Sequence, residues 1–323
     1  PMGPDSSVEQ DLWQAYENRV QPALRPRANG ELGAVRLARG EYAAALDALL
    51  CGGYWTDAAY VAERVLTVAE LQAYVDKTWP ADLAARYKPV QPGGWEITFA
   101  GLAPPPDERV AYDLRYLLGR RLAQAGRYAE ARDYLPEAQR APLDALRQAL
   151  AAGHDEARPA AERAQSLFRA ACLTRHQGMD LVGTELEPDW HFSEGNYEAN
   201  PFASTRADAK THRHLGPSKD ESARVAGSRV EPAKRFHYRY LGADLARSAA
   251  SLLAGGGDEK ARILATAGTW LKARDPQAAQ PFYQAILSCC GDTEIGRKAR
   301  RLKAVPATDV CESDTKPKSE GQN

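Results

Sequence analysis

Glu185, Glu187, Asp189, Trp190 and His191 make the densest gathering of chemically capable side chains in this 323-residue sequence. If residues 184–189 are extended, the two-residue repeat of a strand sets all three carboxylates on one side, and His191 can join them around a divalent cation or a sugar. Two carboxylates beside an aromatic platform also match the chemistry of glycoside cleavage. The spacing fits no defined metal motif, however, and Pro188 among turn formers suits an exposed acidic loop that pairs with Arg206, Arg213 or Arg235. Structural or partner-binding use is therefore the favoured reading. A small-ligand, metal or saccharide site, catalytic or not, is the alternative.

The other candidates for chemistry are weaker. His212 and His214 would share one face of a strand, but Arg213 lies between them and no Cys is close, which argues against a preformed zinc site. His237 belongs to the run Phe236, His237, Tyr238, Arg239 and Tyr240, an aromatic cluster expected to pack at a helix start. The sequence contains no G-x-S-x-G, no phosphate-cradling glycine loop, no H-E-x-x-H and no haem-attachment motif. No cofactor and no metal are expected, and the balance leans away from an enzyme. Cys51, Cys172, Cys289, Cys290 and Cys311 form no C-x-x-C and are odd in number, so they read as core thiols rather than as a disulfide framework.

Forty-two basic and 43 acidic residues leave a net charge of −1, which gives no reason to expect a nucleic-acid partner. The one basic run, Arg297, Lys298, Arg300, Arg301 and Lys303, suits the C-terminal end of a helix, where it opposes the macrodipole. No window approaches the ~18 consecutive apolar residues of a membrane span. The chain begins Pro1-Met2-Gly3, which resembles a processed or excised end.

The elements that must position these residues are helical. A capping helix is expected near 8–20, a hairpin over 30–39 and 42–50, and further helices from 56 and over 68–75, together an N-terminal unit of residues 1–87. Pro, Gly and β-formers then mark a linker at 88–106. A second helical unit spans 107–177, its first helix carrying an apolar stripe of Val110, Leu114, Leu117, Leu118 and Leu122, and its hairpin partner running over 128–135. Residues 178–236 break the rhythm as a long irregular insertion in which Ser218 and Glu221 offer a capping box for one short helix. Helices resume over 237–305, and 306–323 reads as a disordered tail. The tryptophans fall near breaks, where they are expected to seal neighbouring hairpins.

One spaced signature occurs twice: Leu32, Gly33, Gly40, Tyr42 and Ala45, then Leu118, Gly119, Gly126, Tyr128 and Ala131. Each copy reads L-G-x6-G-x-Y-x-x-A. The first Gly lets two helices approach, the second ends a helix in a left-handed conformation, and the Tyr and Ala begin the partner helix. This pattern resembles the tetratricopeptide repeat (TPR). A degraded third copy involves Gly268, Ala278 or Ala279, and Phe282. Gly40 and Gly126 are 86 residues apart, whereas regular arrays of this repeat advance by about 34. Residues 60–75, 178–190 and 235–240 are also similar to the C-terminal region of large bacterial proteins built around such repeats, for which no activity is established.

The resemblance implies an all-α fold of irregular antiparallel hairpins stacked as an α-solenoid. It further implies a non-enzymatic scaffold for protein–protein interaction, part of a larger bacterial protein or assembly, with a protein or peptide partner and contact residues such as Arg36 and Arg115. A structural subunit of a cell-envelope complex is a further alternative. The same resemblance leans towards the periplasm or cell envelope, with the cytoplasm as the other possibility.

Overall fold

The computed structural model describes residues 24–89, 106–195, 216–308 and 310–311. The described residues form fourteen α-helices and no strand. They divide into two compact units, the first made of the chain up to Leu118 together with residues 196–229, the second of residues 119–195 and 230–323. No helix among the described residues is long and apolar enough to cross a membrane.

The first unit opens with the hairpin that the glycine spacing predicts. Helix α1 (Arg25–Ala38) ends at Arg39, and Gly40 follows at φ 78°, a conformation that costs a side-chain-bearing residue about 1–2 kcal/mol. The Glu41 N–H donates to the Arg36 carbonyl at 2.9 Å and the Gly40 N–H to Leu37 at 3.0 Å, which closes the helix end and aims the chain back along itself. Helix α2 (Tyr42–Cys51) then packs on α1 at Gly33, where an added Cβ would lie 2.6 Å from Leu49 Cγ. Helix α3 (Trp55–Tyr60) continues into a π-helical turn (Val61–Val65), and α4 (Val68–Thr78) starts from a capping box in which Thr67 and Glu70 bond reciprocally. A single turn, α5 (Ala81–Ala84), follows. Ala45, Leu46, Ala58, Ala59, Val61, Ala62, Leu71 and Val75 are buried and form the apolar interior.

The second copy of the signature repeats these contacts. Helix α6 (Asp107–Gln124) ends before Gly126 at φ 74°, the Arg127 N–H bonds the Leu122 carbonyl at 2.9 Å, and Gly119 meets Leu135. The partner helix α7 (Tyr128–Ala131) is one turn, shorter than the expected 128–135, because the chain turns at 132–134 ahead of Pro136. Helices α8 (Glu137–His154) and α9 (Ala160–Val182) form the next antiparallel pair, again with a glycine, Gly153, against a leucine, Leu167.

The expected start of the irregular insertion at 178 needs correction. Helix α9 runs on to Val182, and residues 184–195 are packed into the second unit rather than looping out. Helix α10 (Lys219–Gly227), starting from the predicted Ser218 cap, belongs to the first unit. Residues 196–215, including Arg206, His212, Arg213 and His214, lie outside the described residues. So do the expected helix at 8–20 and most of the expected linker at 88–106.

The second unit is completed by α11 (His237–Leu252), α12 (Asp258–Lys272), α13 (Pro276–Cys289) and α14 (Glu294–Leu302). Its core joins Leu167 and Ala171 of α9 to Ala243, Ala246, Leu264, Trp270, Phe282 and Ile286. The degraded third signature is a hairpin, α12 to α13, with Gly268 against Phe282 and Asp275 in place of the corner glycine, its carboxylate accepting the Ala278 N–H at 3.0 Å. The cysteine reading is overturned in part. Cys172 and Cys311 form a disulfide across 139 positions, while Cys51, Cys289 and Cys290 are free. The expected tail therefore begins as packed chain: Pro306 is buried, its carbonyl accepts the Thr269 hydroxyl at 3.1 Å, and Cys311 is buried.

Candidate functional site

The acidic Trp-His segment is a knot in the second unit, and it is not extended. The Trp190 N–H bonds the Leu186 carbonyl at 2.8 Å and the His191 N–H bonds Thr184 at 3.0 Å, so the chain folds over itself. The expected one-sided display of three carboxylates does not form. Glu185 and Asp189 point inward, with residue exposures of 4% and 0%, while Glu187 is half-buried. Trp190 is buried at φ 58°, a left-handed conformation that only a well-determined surrounding sustains.

Each buried carboxylate has its own partner. Glu185 makes an ion pair with Arg120 of α6, and His191 Nδ1 stands 3.4 Å from the same carboxylate. Burial alone would push the Glu185 carboxyl up, but the Arg120 charge and the His191 hydrogen bond outweigh it and hold it at about 2. His191 Nε2 lies 3.6 Å from Asp180. Asp189 accepts three bonds: from the Thr184 N–H at 3.1 Å, from the His237 N–H at 2.9 Å, and with His237 Nδ1 at 2.5 Å. The Thr184 hydroxyl answers by accepting the Asp189 N–H at 3.0 Å and donating to the Leu186 carbonyl at 2.8 Å. Carboxylates saturated in this way fasten α6, the 184–195 segment and α11 together. No group of three or more His, Cys, Asp or Glu among the described residues is arranged to hold a metal ion.

The first unit presents the more accessible chemistry. Helix α10 lies against α2, α3 and the π-helical turn and is held by polar side chains. The Tyr42 hydroxyl donates to Asp220 Oδ2 at 2.7 Å and the Tyr60 hydroxyl to Glu221 Oε1 at 2.7 Å. Burial, then the bond to Glu221, pushes the Tyr60 phenol up, so Tyr60 stays a donor at ordinary pH. Arg224 sits 4.8 Å from the Tyr42 ring centre and donates to Asp220 at 2.9 Å and to Glu70 at 2.8 Å. At the helix end Arg64 Nη1 donates to the Ser228 carbonyl at 3.2 Å and the Ser228 hydroxyl returns a bond to the Arg64 carbonyl at 2.9 Å.

Tyr60 also borders an open groove of about 410 Å³ between α1 and α3, lined by Arg27, Gly30, Glu31, Ala34 and Leu37 on one side and Tyr54 and Asp57 on the other, with Leu49 beneath.

The structure thus separates the expected site residues by role. Glu185, Asp189, Trp190 and His191 are brought together as interior cement. Tyr42, named for defining the repeat, also reads a carboxylate on α10. Arg36 and Arg115, expected at a partner surface, each donate to a backbone carbonyl, Arg36 to Ala44 at 3.2 Å and Arg115 to Trp79 at 3.1 Å. Arg120 and Tyr60 were not singled out by their spacing, and the one available signal for Arg120 is an arginine inside the apolar stripe of α6. Comparison with family models, with curated proteins and with solved structures finds no match.

Proposed function

We propose that the chain is a non-enzymatic helical-repeat scaffold, with TPR-like hairpins stacked as an α-solenoid, whose first unit binds helical peptide segments bearing adjacent acidic residues. One observation carries the reading: α10, which follows its contacts by 154 to 178 positions, rests on α2 and α3 through phenol-to-carboxylate bonds from Tyr42 and Tyr60 and on α4 through the bond that its Arg224 donates to Glu70. Such bonds are directional and side-chain specific, which is how a scaffold face discriminates among peptides. The groove beside Tyr60 extends the same face. The Cys172–Cys311 disulfide supports work in an oxidising compartment, in keeping with the periplasm or envelope, within a larger bacterial protein or assembly.

The test uses the full chain carrying Asp220→Lys and Glu221→Lys, which detach α10 from Tyr42 and Tyr60. A fluorescent peptide of residues 216–229 should bind this variant saturably by anisotropy and the unaltered chain weakly or not at all. A variant that keeps its helical circular dichroism but takes up no peptide contradicts the proposal.

A further inference from the structure

Two of the three free cysteines are neighbours in the chain and in space. Cys289 ends α13 and Cys290 follows it as the C-cap, with their Sγ atoms 3.3 Å apart. Adjacent residues inside a helix would point about 100° apart. Cys290 leaves the helical backbone at φ −125° and ψ 23°, and this turn lets the two thiols converge. The backbone there is held from several sides. The Thr293 hydroxyl and N–H donate to the Cys290 carbonyl at 2.7 and 3.1 Å, and the Cys290 N–H donates to the Ile286 carbonyl at 2.9 Å. A Cβ on Gly256 would overlap the Cys289 carbonyl, and one on Gly296 the Cys290 carbonyl. The convergence is therefore built into the corner between α13 and α14 rather than left to side-chain rotation. The two thiols differ in access: Cys289 is exposed and donates to the Ala285 carbonyl at 2.8 Å, whereas Cys290 is 1% exposed. Burial, then the hydrogen bond with Cys289, pushes the Cys290 thiol up to about 12, with Lys260 and Asp258 the charged groups around it. Cys290 thus stays protonated and is not the first to react.

We infer that Cys289 and Cys290 form a thiol–disulfide exchange site whose substrate is a low-molecular-weight disulfide. Cys289, as its thiolate, attacks one sulfur of the incoming disulfide, forms a mixed disulfide and releases the other half as a thiol. Cys290 then gives up its proton and attacks Cys289 Sγ, which expels the second half as a thiol and leaves a bond between the two neighbours. The cysteine pair loses two electrons and two protons, and the small disulfide gains them as two thiols. Closure brings the sulfurs from 3.3 Å to about 2.05 Å. Neighbouring Cα atoms stand about 3.8 Å apart, inside the ~4.4 Å lower bound of ordinary disulfides, so the closed ring is strained and opens again to small thiols. Cys172 and Cys311, with Cα atoms 5.7 Å apart and 139 positions between them, suit a lasting cross-link instead. One unit therefore holds a permanent pair and a reversible one.

The experiment treats the full chain carrying Cys51→Ser, in which this pair supplies the free thiols, with oxidised glutathione, then quenches with an alkylating reagent and weighs the proteolytic peptide that holds both residues. The expected product is lighter by two hydrogens, carries no glutathione and takes up no alkyl group. Mild dithiothreitol that leaves Cys172–Cys311 intact should restore both alkylation sites. Cys290→Ser should stop at a glutathione adduct on Cys289, and Cys289→Ser should slow loss of the remaining thiol by at least about tenfold, because the buried sulfur has lost its exposed entry point. The inference is overturned if both thiols of the two-cysteine chain remain open to alkylation, if its end product is a stable glutathione adduct, or if it is a disulfide between two chains. Should Cys290→Ser fail to fold, the end product of the two-cysteine chain still decides.

Discussion

Glu185 in the second unit and Glu221 in the first are both almost completely buried, and they face opposite kinds of partner; the first unit also buries Glu63, 3.2 Å from Arg64. Glu185, 4% exposed, faces the guanidinium of Arg120 in the interior of the second unit; Glu221, 5% exposed, accepts a neutral phenol, Tyr60, at the edge of the first. A charge paired with a charge in a dehydrated interior cannot be separated without leaving one of them stranded, whereas a carboxylate released from a phenol regains water at modest cost. The first arrangement is suited to permanence and the second to exchange. The acidic segment that carries the densest chemistry in the sequence is thus the fixed one, and the short helix from the irregular insertion is the exchangeable one.

The comparison is broken most forcefully at Glu185. Glu185→Gln strands the Arg120 charge and should cost about 3–5 kcal/mol in urea unfolding, while the double change Arg120→Met with Glu185→Leu should cost clearly less. The pH dependence has a definite sign. Because the folded carboxyl sits at about 2, below its ordinary 4.5, the stabilisation is fully present above about pH 4.5 and is lost as the pH falls towards 2. Unfolding curves of Glu185→Gln should lack this component.

Next in size, Cys172→Ser removes a cross-link spanning 139 positions and should cost about 2–4 kcal/mol, an effect matched by reducing the unaltered chain. Hydrogen exchange should locate the loss in α9, α11 and α12, with the α10 amides unaffected.

The two signatures allow a finer contrast. Gly33→Ala drives a Cβ to within 2.6 Å of Leu49 and should cost about 1–3 kcal/mol by overpacking. Gly126→Ala meets nothing within 4 Å and should cost about 1–2 kcal/mol through its φ of 74° alone. Thermal denaturation of the pair separates the two roles that the motif combines. Smallest is Tyr60→Phe, which deletes one bond to a carboxylate and should lower global stability by about 1 kcal/mol, with the loss concentrated in α10 protection.

The hairpins were legible because their determinants are local: Gly40 and Gly126 close helix ends whose hydrogen bonds span six residues, and Gly33 and Gly119 each meet a leucine sixteen positions on. The Ser218 cap of α10 was legible for the same reason. What α10 packs against was not, since Tyr42 and Tyr60 precede it by 178 and 161 positions. The acidic segment was misread for a related cause. Its fate depends on Arg120, 65 positions earlier, and His237, 48 positions later, and spacing within 184–191 carries no information about either. The pairing of Cys172 with Cys311 was hidden among five cysteines by the same lack of range.

Native-state hydrogen exchange on the unaltered chain tests the central contrast most directly. If α10 is an exchangeable occupant, its amides should open with a free energy well below that of α2 and the π-helical turn beneath it, and Tyr60→Phe should lower that opening energy without touching α9 or α11. Amides of α10 that exchange only together with those of α2 and α3, at the cost of unfolding the whole unit, would contradict the account.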